Sequence, residues 1–259
     1  PAMGIKGAAI ASVAGRGLAV LLQFYLLYKG KGRNKIKRHH LRIELPVMVQ
    51  LIKLSIGGIG QYLIATASWV ILMKIMNVFG STAVAGYTIA LRLFMFTILP
   101  SWGLSNAAAT LVGQNLGAKK PERAEASVKR TAVLNTVYMV ICAVVFLSFS
   151  ETFMRLFTDD DAVVAIGVSA LTVMSFGYIS YGLGIIIPQT FNGAGDTATP
   201  GWINLFSYWV VQIPLAYFLS IHFGWEEKGV FASIVIAETI MATISLILFR
   251  RGKWKLKMV

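Results

Sequence analysis

Hydrophobic residues run along the chain in seven stretches, about 7–28, 47–73, 83–111, 131–150, 162–190, 201–222 and 230–249. Each is long enough for an α-helix to cross a hydrocarbon core about 30 Å thick. No water reaches backbone groups there, so a spanning segment must be a helix or part of a closed barrel. The runs are too long for barrel strands and lack their strict two-residue alternation. The pattern therefore predicts an all-α membrane protein of about seven transmembrane helices.

The connections alternate in character. Residues 29–44, residues 113–130 and the tail from Arg250 are basic, whereas residues 74–82, 151–161 and 223–228 are acidic or nearly neutral. Basic loops face the cytoplasm, which predicts an external N-terminus and a cytoplasmic C-terminus in a plasma (inner) membrane. The loop 191–200 has neither Lys nor Arg and falls inside by alternation alone. Trp225 and Trp254 stand where interfacial aromatics are expected.

Composition supports this picture. The chain is 56% hydrophobic and 14% charged, against about 25% charged in soluble domains. Its net charge of +13 invites a nucleic-acid reading. However, 17 of the 24 Lys and Arg residues fall in three clusters between or after apolar runs, without interleaved aromatics or a recognition motif. Membrane lipid is the expected partner and nucleic acid is not. The single cysteine, Cys142, lies inside an apolar run and leaves nothing to pair with in this chain. His39 and His40 fall in the basic loop with no Cys or paired carboxylates beside them.

A weak internal repeat bears on organisation. Lys6, Gly7, Gly30 and Lys31 recur at a constant offset as Lys228, Gly229, Gly252 and Lys253. Read as parallel repeats related by an axis along the membrane normal, the first span is the last helix of a preceding repeat. That predicts a chain extending upstream, with residues 1–28 closing an N-terminal lobe and residues 29–46 as a basic cytoplasmic linker. Residues 47–250 are then a six-helix C-terminal lobe and residues 251–259 a cytoplasmic tail.

Polar groups within spans are costly and face a cavity or another helix. Arg16, Arg92 and Glu238 are the ionisable groups at depth, while Lys53 and Lys74 lie near enough to span ends to snorkel. Glu238 reads either as a proton or cation site with Arg16 or Arg92 as counter-charge, or as a structural ion pair. Gln61, Thr66, Tyr87, Thr88, Arg92, Tyr178, Tyr181 and Gln212 are the candidates to line a substrate cavity. Such Tyr and Gln faces suit amphipathic organic cations, though helix–helix packing uses the same residues. No catalytic carboxylate pair, Ser–His–Asp set or Walker motif is present. This argues against an enzyme, an organic cofactor, a bound metal and ATP-driven transport. The stretch Ala118–Arg130, with Pro121 near its start, reads as a short interfacial helix.

Several motifs resemble the multidrug and toxic compound extrusion (MATE) family. VGQNLGAKKPERA at 112–124 resembles the signature after that family's eighth helix, and FNGAGDTATP at 191–200 the loop after its tenth. IPLAYFLS at 213–220 with KGVFAS at 228–233 resembles the eleventh-to-twelfth helix region, and PAMGIKGAAIAS at the start resembles the sixth helix. The resemblance implies a twelve-helix, two-lobed transporter, of which this chain holds helices six to twelve. It implies secondary antiport: export of a small organic cation or drug, a xenobiotic, in exchange for H⁺ or Na⁺, with the N-terminal lobe as the missing partner. The acidic residues that couple the NorM branch have no match here. Ala65 stands near the helix-seven position, and helix ten (162–190) has no Asp or Glu. In that respect the chain is closer to the DinF branch, whose coupling Asp lies in helix one. Glu238 is left as the local coupling candidate. Two other readings stay open: a lipid-linked sugar or polysaccharide flippase, and a non-transporting membrane scaffold.

Overall fold

The computed structural model describes residues 4–29 and 44–256. Residues 30–43, which hold most of the basic linker with His39 and His40, lie outside the described residues, as do the last three of the tail. Among the described residues six helices are long and apolar enough to cross a membrane, and a bent pair supplies a seventh crossing if counted as one span. Every element among the described residues is helical, the architecture of a multi-pass membrane protein.

The chain divides into two compact units, residues 1–52 and 53–259. The first contains α1 (Gly4–Lys29), with Arg16 among its exposed residues, and the start of α2 (Leu45–Asn77). The second contains the rest of α2, followed by α3 (Ser81–Gly117), α4 (Pro121–Arg155), α5 (Asp161–Phe176), α6 (Tyr178–Gly193), α7 (Ala198–Asn204), α8 (Ile213–Tyr217) and α9 (Glu226–Arg250). Wider π-helical turns, Leu205–Gln212 and Phe218–His222, continue α7 and α8 and make residues 198–222 one crossing.

Lipid is as apolar as leucine, so tight packing rather than water exclusion holds such helices together. Small residues allow it. A Cβ on Gly193 of α6 would lie 2.4 Å from the Ala109 carbonyl oxygen of α3, and one on Gly86 of α3 would lie 2.8 Å from that of Val163 on α5. Two apolar clusters fill the second unit. One joins Leu72, Phe94, Met139, Phe146, Tyr178 and Phe231, and the other Val112, Val128, Ile187, Phe191, Phe249 and Trp254.

The structure corrects four expectations. Residues 118–130 do not form a separate interfacial helix. Lys119 (φ +57°) and Pro121 make the turn, and from Pro121 the helix runs past Arg130 to a kink at Phe149 (φ −129°, ψ 18°) and on to Arg155. The helix is continuous across the expected junction near Arg130, where the Ser127 and Thr131 hydroxyls donate to the carbonyls four residues back. The span 162–190 is two helices bent by 59° at Gly177. There the Val235 methyls of α9 approach to 3.1 Å of where a side chain would begin. The loop 191–200 shrinks to residues 194–197, because α6 runs on to Gly193 and α7 starts at Ala198. Gly195 (φ +75°) takes the left-handed turn and the Asp196 carboxylate accepts from the Thr199 amide and hydroxyl. Finally, Trp254 is buried rather than interfacial. It stacks on Phe249 at 5.2 Å and donates to the Phe249 carbonyl at 3.0 Å. Its neighbour Lys255 pairs with Glu125, which also holds Lys129 at 2.6 Å. The first residues of the expected tail are thus folded against the bundle.

Candidate functional site

Five segments of the second unit wall a cavity of about 500 Å³, a volume typical of small-molecule sites. From α2 come Gln61, Tyr62, Ala65, Thr66 and Trp69; from α3, Phe94, Met95, Ile98, Trp102, Ser105 and Asn106. Tyr181, Gly184, Ile185, Pro188, Gln189 and Asn192 come from α6, Asn204 and Tyr208 from the 198–212 stretch, and Glu238 and Met241 from α9.

Local backbone chemistry shapes the wall. Pro188 has no N–H to give the Gly184 carbonyl, which opens α6 where it faces the cavity. Pro214 likewise cannot donate to the helix before it, and Leu205–Gln212 winds wide, with the Ile213 amide bonded to the Tyr208 carbonyl five residues back. In this winding Tyr208 reaches the cavity, whereas Gln212 turns to α2 and accepts from Ser68 at 2.9 Å.

Two polar groupings stand out in a mostly apolar wall that also carries Thr66, Ser105 and Asn204. The first is Glu238, only 6% exposed. Its Oε1 accepts from the Tyr208 hydroxyl at 3.1 Å, while its Oε2 and the Tyr181 hydroxyl are buried without a hydrogen-bond partner. The second is a chain of amides. Gln61 donates to the Asn192 side chain at 3.1 Å and to the Thr197 carbonyl at 2.8 Å; Asn192 donates to Gln189, which donates to Asn106 at 3.3 Å. The chain ties α2 and α3 to the end of α6 and the turn beyond it. Gly57, one helical turn before Gln61, packs so closely on Thr197 that any side chain there would overlap it. Among the described residues no Lys, Arg, His or Asp lines the cavity.

The sequence candidates divide into three groups. Gln61, Thr66, Tyr181 and Glu238 line the cavity together. Tyr87, Tyr178 and Gln212 do not line it. Tyr87 is core, stacked on Phe231 at 5.7 Å; Tyr178 packs between Phe94 and Phe146 with its hydroxyl 3.3 Å from that of Thr97; Gln212 serves the α2 contact just described. Thr88 and Arg92 line a separate outer groove with Leu91, Met95, Phe96, Leu99 and Phe157. Arg92 is therefore no counter-charge to Glu238, whose partner is a tyrosine. The four helical positions between Thr88 and Arg92 put them on one face of α3, and that face is exposed at Arg92. Trp69, Trp102, Asn106, Gln189, Asn192 and Tyr208 escaped the sequence reading. The amides carried a signal, being uncharged polar residues within or at the end of apolar runs. Tyr208 carried none that set it apart from the other tyrosines.

The family model MatE matches residues 58–218. The chain is 25% identical to the probable multidrug resistance protein NorM of Thermotoga maritima, over 100% of this chain and 56% of that protein. It is 24% identical to the probable multidrug resistance protein YoeA of Bacillus subtilis, again over 100% and 56%. A solved MOP superfamily transporter from Pyrococcus furiosus superposes with a TM-score of 0.90 at 20% identity, covering 99% of this chain and 58% of that one. An outward-facing multidrug resistance MATE family transporter of the MOP superfamily superposes at 0.89 and 20%, covering 98% and 58%. The chain thus spans about half the length of the proteins it matches.

Proposed function

The chain belongs to the MatE family, and from that membership we propose that it supplies one lobe of a secondary antiporter exporting amphipathic organic cations or drugs in exchange for H⁺ or Na⁺. The observation that carries the reading is the chemistry of the cavity. Six aromatic side chains (Tyr62, Trp69, Phe94, Trp102, Tyr181 and Tyr208), neutral amides and one carboxylate share a wall with no basic group among the described residues. Aromatic faces attract organic cations, and the carboxylate supplies the balancing charge. Multidrug resistance in the names of the relatives agrees with this.

The rest of the assignment follows from the same reading. The portion of the relatives beyond this chain corresponds to the second lobe, its partner in forming the central pathway, and α1 is the last helix of that lobe. The membrane is the plasma (inner) membrane, with the basic α3–α4 turn and the folded tail on its cytoplasmic side. A flippase for lipid-linked sugars calls for a cationic cavity, and Arg92, its one support in the sequence, lines the outer groove instead. A scaffold that moves no solute needs no such cavity.

The test is ethidium efflux from pump-deficient bacteria expressing the complete reading frame that contains this chain. Efflux that stops with an uncoupler or on removal of Na⁺ is the expected result. No efflux, with the protein present in the membrane, would sink the drug-export reading.

A further inference from the structure

Building on the transport reading above, we infer that Glu238 is the proton-exchange site of this lobe: its Oε2 carries the proton that a cationic substrate displaces, and Tyr208 positions the carboxyl group. The first support is geometric. α9 brings Glu238 to the cavity wall, the π-wound segment brings Tyr208 to its Oε1 at 3.1 Å, and Oε2 is buried with no hydrogen-bond partner. Gly184 lets α6 pack close against the carboxyl group, since a Cβ there would lie 3.3 Å from Oε2 and 2.9 Å from the Met241 methyl.

The second support is charge balance. A carboxylate out of water and without a cation is strongly disfavoured, and it takes up a proton or a positive ligand instead. The other titratable side chains on the cavity wall are Tyr62 of α2, Tyr181 of α6 and Tyr208 of the π-wound segment. From α3 comes no titratable group, and α5 and α8, which also pack against α9, supply none to the lining. No protein cation therefore neutralises Glu238 within the described cavity. A hard metal cation requires several oxygen ligands at once, and among the described residues Glu238 is the one carboxylate that lines the cavity. A proton needs one oxygen, and Oε2 is that oxygen. With the proton on Oε2 the site is neutral and fits its apolar wall. When an organic cation enters, the O–H bond breaks, the proton passes to cavity water, and the carboxylate balances the ligand's charge. Either occupant excludes the other, which is the requirement for exchange.

The protein purified from its complete reading frame can be titrated by infrared difference spectroscopy. The expected result is a carboxylic-acid C=O band that disappears as pH rises and as ethidium binds. The band is absent in Glu238→Gln and present, shifted in frequency, in Glu238→Asp. In lightly buffered solution, ethidium should release protons from the wild-type protein and none from Glu238→Gln. An unchanged band in Glu238→Gln, or no such band at any pH where the protein is folded, overturns the inference. So does a Na⁺-dependent tryptophan-fluorescence change that is lost in Glu238→Gln while the wild type shows no acid band. If the band titrates and is lost in Glu238→Gln while ethidium neither binds nor is exported, the proton site stands and the drug-export reading falls.

Discussion

Glycine 193 shows what one missing methyl group does in a membrane bundle. A Cβ there would meet the Ala109 carbonyl oxygen at 2.4 Å and its Cα at 2.8 Å. Both are backbone atoms that cannot swing aside, so Gly193→Ala must push α6 away from α3. Overpacking of this kind costs about 1–3 kcal/mol, to be read as a lower thermal midpoint of the detergent-purified protein. Gly58→Ala, with no heavy atom within 4 Å of the new methyl, should hold the midpoint or raise it, since alanine favours a helix by about 0.5–1 kcal/mol. Equal melting of Gly193→Ala and wild type would mean that the close α3–α6 approach is not required. Residue by residue, legibility follows cost. Glu238 stood out in the sequence because a carboxylate in an apolar run is expensive and needs a reason. Tyr208 did not, since tyrosine is at ease in such runs and its meeting with Glu238 depends on how the helix winds.

Among elements, α2 is tied to the α6–α7 turn through side-chain amides and one packed glycine. Gln61 and Asn192 exchange hydrogen bonds at 3.1 and 3.3 Å, and Gln61 also reaches the Thr197 carbonyl. Each amide satisfies the other at a part-buried contact, so the two substitutions should not add. A double-mutant cycle of Gln61→Ala and Asn192→Ala, followed by thermal unfolding, should give a coupling of about 0.5–3 kcal/mol, the range for contacting residues. Strict additivity would show that the bonds contribute nothing to joining the two elements. The apolar runs already marked the crossings, and their order agrees with the structure. The continuity of α4 past Arg130 and the 59° bend at Gly177 did not show in the pattern. Run length records how much of a helix the membrane covers, not where the helix extends beyond it or how it bends within.

For the whole molecule, the basic clusters predict an orientation by the positive-inside rule. In a Cys142→Ser background, Asp159→Cys and Lys253→Cys place single thiols at the two ends of the bundle. A membrane-impermeant maleimide applied to intact cells should label Asp159→Cys and leave Lys253→Cys unlabelled until the membrane is opened. Labelling of Lys253→Cys in sealed cells would reverse the topology. Both sites belong to the second unit, whose two apolar clusters pack its helices together, so their answer concerns that unit as folded.

The amino-acid sequence by itself determined that this is a membrane bundle of about seven crossings, with basic clusters between and after its apolar runs and motifs resembling one transporter family. Those properties are sums along the chain, of apolar length and of charge, and folding does not change them. It also picked out Gln61, Thr66, Tyr181 and Glu238, which do meet at one cavity. Only the tertiary structure decided that Tyr87 and Tyr178 pack in the core, that Thr88 and Arg92 face an outer groove, and that Tyr208 is the partner of Glu238. The physical reason is that a polar residue in a span must turn inward or outward, and which way it turns is set by helix rotation. Prolines at 188 and 214, π-helical winding and close contacts at bare glycines set that rotation, and none of them changes the hydrophobic pattern.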